Sequence, residues 1–441
     1  MPYIRPFRGL RFEPDIVGDL SAVVSPPYDV ISPAEQRALM ARDPHNVVRL
    51  DLPPDEPGDG PDDRYRRAAR TFAAWRSDGS IRKDARPSLY AYEQTYRVPG
   101  ADVERTQRGF FARLRLEPFG QGSGVLPHER TLVGPKEDRY KLLRATGANF
   151  SPVVGLYGDP SGRASDALAG IAQTSPTIDL VADGGVRHRV WVVPADDAGD
   201  GHVGRLVAAA GAEPITIADG HHRYETALRY RDERRMSRSC EEDPAFDYLL
   251  MLLLETSHEA LTVLPTHRLV RGLGDAGVES LWSGLGALFE VERVERSDGL
   301  GASFEAAGPA AGGNGRFGLW TRQGGAILTA RREAFEPLLP VGGEALRRLD
   351  VTLLQVALER LVGIDSAATA GGERVAYTKS AAEALAWVDR GQDGADAAFL
   401  LEPTPVAEIA AVAAAGDVMP QKSTYFYPKP VTGLVINPHE W

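Results

Sequence analysis

The sequence predicts a mixed α/β fold divided into two domains. Its 441 residues exceed what one hydrophobic core usually organises, so two or three domains are expected. Hydrophobic residues make up 43% and charged residues 25% of the chain, which is typical of a soluble globular protein. Strand and helix patterns alternate, and the composition becomes rich in Gly and Ala beyond residue 270. We therefore expect one domain over residues 1–269 and a second, C-terminal α/β domain over residues 270–441.

Hydrophobic spacing and turn residues predict the elements of the first domain. Pro26 and Pro27 should hold the backbone extended and keep Asp29 out of a helix. Ser32 and Glu35 have the spacing of a capping box, so Glu35 is predicted to cap a helix rather than to catalyse. The pattern predicts an edge strand at 3–12, helices at 64–76, 164–172 and 203–210, a hairpin of strands at 89–98 and 107–116, and strands at 151–157, 187–193 and 246–254. The last of these is almost entirely apolar, as a central strand would be.

The second domain is predicted from the same two periodicities. Strands are expected at 289–294, 316–320, 325–330, 375–378 and 397–401, and helices at 350–361, 380–389 and 406–414. The segment 419–429 has prolines near both ends, so we predict irregular structure there. It is either a surface loop or a segment that folds back over a site in the first domain.

Charge, cysteine content and hydropathy exclude several classes of function. The net charge of −11 argues against a surface that coats nucleic acid, which needs clustered positive charge. Cys240 is the only cysteine, so an intramolecular disulfide and a cysteine-based zinc site are excluded. The N-terminus has no apolar signal core, and the longest apolar run is far too short to span a membrane. We expect a cytoplasmic protein without a membrane partner; the oligomeric state stays open.

The stretch Asp219-Gly220-His221-His222-Arg223 ends an apolar strand and begins an Arg-rich helix. A helix N-terminus presents backbone N–H groups and a partial positive charge, which suit an anion. Two histidines and an arginine add donors, so Gly220, His221, His222 and Arg223 are predicted to bind a phosphate. The alternative is that Asp219 only caps the helix, while the histidines pack or face solvent.

Further candidate residues lie in three polar stretches. Lys136 and Arg139 are candidate phosphate-binding cations, although a solvated charged helix face is the alternative. The candidate substrate-binding residues are His128, Glu129, His267, Arg268 and Lys422. Only six lysines occur among 50 basic residues, and four of them (Lys136, Lys141, Lys422 and Lys429) lie in these stretches. A lysine kept where Arg is the usual cation suggests a need for a compact ammonium group.

Phosphoryl transfer is the chemistry that this set of residues suggests. It needs positioning, charge neutralisation, usually Mg²⁺, and a carboxylate that orients the attacking hydroxyl. Asp219 is a candidate metal ligand or base, and Asp29 and Glu225 are further candidate catalytic carboxylates. The expected cofactors are Mg²⁺ and either ATP or ADP.

Six motifs along the chain resemble those of the bacterial and archaeal domain-of-unknown-function family 1015. They are SPPYDVIS (25–32), PHERT (127–131), GPKEDR (134–139), ADGHHRYETA (218–227), LPTHR (264–268) and MPQKSTYFYPK (419–429). The resemblance covers nearly the whole chain and implies no function by itself.

The Asp-Gly-His-His-Arg string is also similar to the phosphate-binding motif of the ParB/sulfiredoxin-like superfamily. That similarity implies a nucleotide-binding core in which His221, His222 and Arg223 hold phosphates. The superfamily includes free-serine kinases, sulfiredoxin and CTP-binding ParB switches. The reactive cysteine of sulfiredoxin has no counterpart beside Arg223. The serine kinases use a glutamate base near the N-terminus, for which Asp29 and Glu35 are the candidates here.

Three functions follow as hypotheses. The first is an Mg²⁺-dependent phosphotransferase that uses a nucleotide to phosphorylate a small hydroxylated metabolite, free serine above all. The second is a nucleotide-binding regulatory switch with little turnover. The third is a phosphatase acting on a phosphorylated metabolite such as phosphoserine.

Overall fold

Helices and strands alternate along the chain in a mixed α/β fold. The structure, a computed structural model, describes residues 1–129, 131, 133–195, 201–237, 242–305 and 315–441. Cys240 and Arg130, the latter in the second motif, lie outside the described residues. Within the described part of the chain, no helix is long and apolar enough to cross a membrane.

The strands are short except for the central ones. They are β1 (Ile4–Arg5), β2 (Leu10–Phe12), β3 (Ile81–Lys83), β4 (Ser88–Arg97), β5 (Glu104–Arg115), β6 (Val125–Leu126), β7 (Ala148–Asn149), β8 (Val153–Tyr157), β9 (Ile178–Val181), β10 (Arg187–Pro194), β11 (Ile215–Asp219), β12 (Tyr248–Glu255), β13 (Thr262–Leu264), β14 (His267–Arg271), β15 (Phe289–Val294), β16 (Arg316–Thr321), β17 (Gly324–Ala330), β18 (Val375–Thr378), β19 (Ala395–Leu400), β20 (Tyr425–Tyr427) and β21 (Asn437–Pro438).

The helices range from one turn to more than four turns. They are α1 (Pro14–Val17), α2 (Leu20–Val23), α3 (Pro33–Arg42), α4 (Val48–Asp51), α5 (Asp63–Ser77), α6 (Val133–Thr146), α7 (Arg163–Ile171), α8 (His202–Ala210), α9 (His221–Ser237), α10 (Gly274–Gly284), α11 (Ser297–Glu305), α12 (Arg332–Phe335), α13 (Glu344–Arg348), α14 (Asp350–Val362), α15 (Ser366–Gly371), α16 (Ala381–Arg390) and α17 (Val406–Ala414). Short 3₁₀ turns occur at Tyr28–Val30, Asp183–Gly185, Ala245–Asp247, Leu285–Ala287, Glu336–Leu338 and Gln392–Gly394.

The chain divides into two compact units. The first unit contains Met1–Leu126, Leu132–Leu261 and Pro428–Trp441, and the second contains Pro127–Thr131 and Thr262–Tyr427. Relative to the predicted boundary after residue 269, residues 262–269 fall in the second unit and the last fourteen residues fall in the first. Each unit has its own sheet and its own core.

A mixed, nine-stranded sheet organises the first unit, with strand order β6-β11-β8-β12-β5-β4-β10-β9 and β1 on β5. The predicted central strand is confirmed: β12 lies between β8 and β5, and all eight of its residues are buried. The predicted hairpin is confirmed as the antiparallel pair β4–β5, in which Tyr92 faces Gly109. Uniform burial explains why β12 has no alternation of polar residues.

The predicted helices of the first unit are confirmed together with their local signals. Ser32 accepts a hydrogen bond from the backbone of Glu35, and the Glu35 carboxylate accepts one in return, which completes the capping box of α3. Helix α5 buries Tyr65, Ala68, Phe72 and Trp75, which recur at helical spacing. The predicted capping role of Glu35 is therefore confirmed.

Two predictions near the N-terminus were wrong. The single strand expected at 3–12 is divided into β1 and β2, because Pro6 lacks an amide donor and Gly9 packs against the Tyr90 hydroxyl. Pro27 is extended as predicted, with φ −64° and ψ 148°, but Asp29 lies in the 3₁₀ turn that follows it. A proline fixes its own φ and disfavours the helical region only for the residue before it, so the turn can start immediately after Pro27.

An antiparallel six-stranded sheet organises the second unit, with strand order β15-β17-β16-β19-β14-β18. The predicted alternation of helices and strands is confirmed, and the structure shows that Ser380 caps α16. The prediction of irregular structure throughout 419–429 was wrong, because Tyr425–Tyr427 forms β20 and pairs with β13. Three consecutive aromatic residues favour a strand, and the flanking prolines only delimit it.

Candidate functional site

The predicted phosphate motif lies at the junction between β11 and α9 in the first unit. Strand β11 ends at Asp219, Gly220 has φ 93°, and α9 begins at His221. A Cβ atom at position 220 would lie 2.9 Å from Nε of Arg223. Glycine is therefore required both for the backbone conformation and for the close approach of Arg223.

Arg223 is held against the strands by its guanidinium group. Its Nη2 donates to Oδ2 of Asp219 at 2.5 Å, and its Nη1 donates to the carbonyl of Pro152, just before β8. Its Nε is buried and has no hydrogen-bond partner among the described residues. The guanidinium thus has a fixed orientation at the first turn of α9.

Lys429 completes an ion-pair cluster at the same junction. Its Nζ donates to Oδ2 of Asp29 at 2.5 Å and to Oδ1 of Asp219 at 2.9 Å. Asp219 therefore binds Arg223 through one oxygen and Lys429 through the other. Lys429 was not among the predicted site residues, although the scarcity of lysine in this chain was a signal that could have identified it.

The pKa values of the cluster follow from burial and paired charge. Burial alone would raise the pKa of Asp219, but the charges of Lys429 and Arg223 hold it well below its ordinary value. Burial alone would lower the pKa of Lys429, but Asp219 and Asp29 hold it above its ordinary value. Asp219 and Lys429 stabilise each other's charged forms, so both are ionised at neutral pH.

A second buried group of charges lies beside this cluster. The guanidinium of Arg139 packs 3.9 Å from the ring centroid of Tyr28 and donates to Asp138 and to the carbonyl of Asp51. Burial raises the pKa of Asp51, although Arg139 and Arg223 act in the opposite direction. Oδ2 of Asp51 has no hydrogen-bond partner among the described residues. A cavity of about 40 Å³, lined in part by Asp51, Arg139 and Arg223, separates these side chains.

The other predicted phosphate-binding residues have different surroundings. His221 is buried and His222 is half-buried in the first turn of α9. Lys136 forms an ion pair with Glu225, one of the predicted catalytic carboxylates. The donors of Arg139 contact Asp138 and Asp51, so they face protein acceptors in this structure.

All five predicted substrate-binding residues belong to the second unit. Nε2 of His128 lies 3.0 Å from Oγ1 of Thr424, and Glu129 bridges to Met419 through the backbone. Nδ1 of His267 accepts from the amide of Leu401, and burial lowers the pKa of His267 to about 4. Arg268 donates to the carbonyls of Thr266 and Lys422. The sequence-predicted residues are thus divided between the two units.

The carboxylates do not fit a protein-held metal site. Both oxygens of Asp219 already contact cationic side chains, and the ammonium of Lys429 lies where Asp29 and Asp219 could share a cation. Among the described residues, no group of three or more His, Cys, Asp or Glu side chains is arranged to hold a metal ion. The predicted role of Asp219 as a metal ligand therefore finds no support in this geometry.

Comparisons with known proteins identify a family but no activity. The family model described as a protein of unknown function, DUF1015, matches residues 4–352. No curated protein matches the sequence. Among solved structures, a conserved hypothetical protein from Pyrococcus furiosus is 14% identical with a TM-score of 0.35, covering 69% of this chain and 87% of that one. A free serine kinase in complex with AMP is 13% identical with a TM-score of 0.36, covering 69% and 83%. SbnI from Staphylococcus aureus, truncated at its C-terminus, is 11% identical with a TM-score of 0.34, covering 70% and 82%.

Proposed function

Because the chain belongs to the DUF1015 family, whose function is unknown, we propose a function from the chemistry of its site. The protein binds a nucleotide phosphate at the N-terminus of α9 and transfers a phosphoryl group to a small hydroxylated metabolite, with free serine the first substrate to test. The observation that carries this proposal is the cluster of Arg223 and Lys429 around Asp219 at the first turn of the helix. The solved structures named above have TM-scores below 0.5, and the proposal does not rest on them.

Phosphate binding is supported by three sources of positive charge at one point. The backbone N–H groups in the first turn of an α-helix point out of its N-terminus, where the helix dipole favours an anion. Arg223 and Lys429 add two full charges within contact of the same carboxylate. Gly220 removes the Cβ that would otherwise displace Arg223. A phosphate here would receive charge-assisted hydrogen bonds from each source.

Asp29 is the better candidate for the base that orients the substrate hydroxyl. Both carboxylate oxygens of Asp219 are held by cations, which also lower its pKa, so it is a poor proton acceptor and we assign it a positioning role. Asp29 contacts Lys429 alone in this cluster and its side chain is partly exposed. Mg²⁺ would be held by the nucleotide phosphates, as it commonly is when a protein supplies few ligands.

Product formation tests the proposal directly. The protein is incubated with serine, Mg²⁺ and either ATP or ADP, and phosphoserine is measured by mass spectrometry. Asp29→Asn should abolish product while leaving the protein folded. Failure of the wild-type protein to form phosphoserine with either nucleotide, and to run the reaction in reverse, would reject serine as the substrate.

Binding of the nucleotide tests the phosphate site separately. Arg223→Ala should weaken binding by about 1.5–3 kcal/mol, or roughly 10- to 150-fold, the value of a hydrogen bond to a charged group. Arg223→Lys keeps the positive charge but not the planar guanidinium. Its affinity for the nucleotide should therefore lie between those of the wild type and Arg223→Ala. Calorimetric titration measures both, with circular dichroism as the check on folding. Unchanged affinity in a folded Arg223→Ala protein would show that the nucleotide does not bind at this site.

A nucleotide-binding switch is the second candidate, and one observation favours it. Each carboxylate near the motif is in an ion pair: Asp29 and Asp219 with Lys429, and Glu225 with Lys136. A site whose carboxylates are all paired suits binding without turnover. Tight nucleotide binding with no transfer to any metabolite would support the switch, whereas release of inorganic phosphate from phosphoserine without nucleotide would indicate a phosphatase.

A further inference from the structure

The second unit contains a buried arginine whose hydrogen bonds go to neutral groups only. Arg268, on β14, is 5% exposed and forms no ion pair with a carboxylate of the described residues. Its Nη1 donates to the carbonyl of Thr266, its Nη2 donates to the carbonyl of Lys422 at 3.3 Å, and its guanidinium lies 5.5 Å from the ring centroid of Tyr377. These contacts are with neutral groups, and they use only two of the five N–H donors.

A buried cation normally has a partner of opposite charge, because leaving water is otherwise costly. Burial lowers the pKa of Arg268 to about 10, and the charges of Tyr377 and Glu129 act in the opposite direction. Arg113, in the first unit, shows a structural alternative. It is equally buried, but its donors contact the side-chain oxygen of Asn437 and the backbone carbonyls of Pro438 and Glu440 at 2.6–2.8 Å. Arg268 has fewer acceptors, so part of its hydrogen-bonding capacity remains available for a ligand.

The neighbouring hydroxyl of Thr266 is also without a partner. Thr266 is 7% exposed, and its Oγ1 has no hydrogen-bond partner among the residues that the structure describes. Thr266 lies immediately before β14, and its carbonyl contacts the guanidinium of Arg268. A buried hydroxyl without a partner costs stability, and such groups concentrate where a ligand binds.

The backbone next to Arg268 is strained as well. Lys422, whose carbonyl accepts from Arg268, has φ 56°, a conformation that is uncommon outside glycine. Strain of this kind is often found at binding sites. The Lys422 side chain is exposed and adds a positive charge to the same region.

We propose that Arg268 and Thr266 bind a small anionic group, a carboxylate or a phosphate, at a site in the second unit whose residues differ from those of the α9 site. The guanidinium and the hydroxyl can both donate, and a guanidinium binds either anion through two parallel hydrogen bonds. The bound anion accepts from N–H donors of Arg268 beyond the two that contact the carbonyls of Thr266 and Lys422. The ligand is thus a metabolite or peptide that presents a carboxylate or phosphate.

Thermal unfolding with simple anions tests this site, with sodium acetate and inorganic phosphate as the two probes at constant ionic strength. The test uses Arg223→Ala protein, in which phosphate binding at α9 is expected to be about 10- to 150-fold weaker. A saturable rise in Tm of about 2–4 °C at ten times the Kd is expected with at least one probe, and the stronger probe identifies the anion class. Adding Arg268→Met should remove the rise, and adding Arg113→Met should not. No rise with either probe, or a rise that survives Arg268→Met, would overturn the proposal.

Thr266→Val provides a sharper test, because valine has nearly the same shape but no hydroxyl. Since that hydroxyl has no hydrogen-bond partner, the variant should keep or raise the Tm of the unliganded protein. Its affinity for the anion should fall about 3- to 10-fold. A lower Tm with unchanged affinity would show that the hydroxyl is structural and would overturn its assignment. Nucleotide binding should be weakened about 10- to 150-fold in Arg223→Ala and unchanged in Arg268→Met, so this proposal and the proposed function can fail independently.

Discussion

Replacing Lys429 by Met would show how much the ion-pair cluster stabilises the first unit. The Lys429 side chain is 10% exposed, and its partners Asp219 and Asp29 are 22% and 30% exposed. Removing one member of a buried pair typically costs about 3–5 kcal/mol, whereas an exposed pair is worth at most about 1 kcal/mol. We assign about 2–3 kcal/mol to the contact with Asp219 and about 1 kcal/mol to the contact with Asp29. The sum, about 3–4 kcal/mol, corresponds to a fall in Tm of roughly 5–7 °C for a unit of this size.

The pH dependence of this effect follows from the two shifted pKa values. The pKa of Asp219 is lowered, so its contribution is present above the unfolded pKa near 3.9 and is lost as the pH falls through the folded value. The pKa of Lys429 is raised, so its contribution is complete below the unfolded pKa near 10.4 and is lost as the pH rises through the folded value. The difference in Tm between wild type and Lys429→Met should therefore be constant from about pH 5 to pH 9.

Thermal unfolding followed by far-UV circular dichroism at pH 5, 7 and 9 measures the effect. Lys141→Met is the matched control, because Lys141 pairs with Asp62 at 2.8 Å but the two side chains are 32% and 52% exposed. That variant should lose no more than about 1 kcal/mol. If Lys429→Met lowers the Tm no further than Lys141→Met, or if the difference changes steeply between pH 5 and 9, the cluster does not stabilise the unit in the way described.

Two further predictions concern a glycine and a buried carboxyl. Gly220→Ala should destabilise the protein by about 1–3 kcal/mol, because of its positive φ, and weaken nucleotide binding at least tenfold by displacing Arg223. Gly162→Ala, at a positive φ with open space around it, is the control that should lose stability but not affinity, as measured by unfolding and calorimetry. Burial raises the pKa of Asp350 to about 6, so this carboxyl costs stability as the pH rises from 4 through 6. Between pH 4 and 7, the free energy of unfolding of Asp350→Asn, measured with urea, should rise by about 2–3 kcal/mol relative to that of the wild type. If the two proteins have the same pH dependence of stability, the pKa of Asp350 is not raised in the folded state.

Local structure could be predicted from the sequence because its signals are local. The buried face of α5, the capping box of α3 and the uniform burial of β12 each follow from spacing within one segment. The division of residues 3–12 into two strands was missed, because it depends on the packing of Gly9 against Tyr90, which is distant in sequence. The strand Tyr425–Tyr427 was missed for a similar reason: its pairing with β13 is a long-range contact.

In the candidate site, too, the local features could be predicted from the sequence and the long-range contacts could not. The strand–turn–helix geometry of Asp219 to Arg223 was predictable, because a glycine between an apolar strand and a helix start is a local pattern. The partner that completes the cluster was not, because Lys429 lies 210 residues from Asp219 and 400 residues from Asp29. No periodicity links positions that far apart. Composition held a weak signal, since lysines are rare in this chain, but it could not say which carboxylate each lysine would contact.

The cluster itself gives a way to distinguish transfer from regulation. A phosphate that binds at α9 must compete with Asp29 and Asp219 for the ammonium of Lys429. Asp29→Asn removes one competitor, so it should tighten nucleotide binding several-fold whichever function is correct. In a phosphotransferase the same change also removes the base, so binding improves while turnover disappears. In a switch, binding improves and there is no turnover to lose. Tighter binding with turnover unchanged would exclude Asp29 as the base, and weaker binding would show that Lys429 does not contact the phosphate.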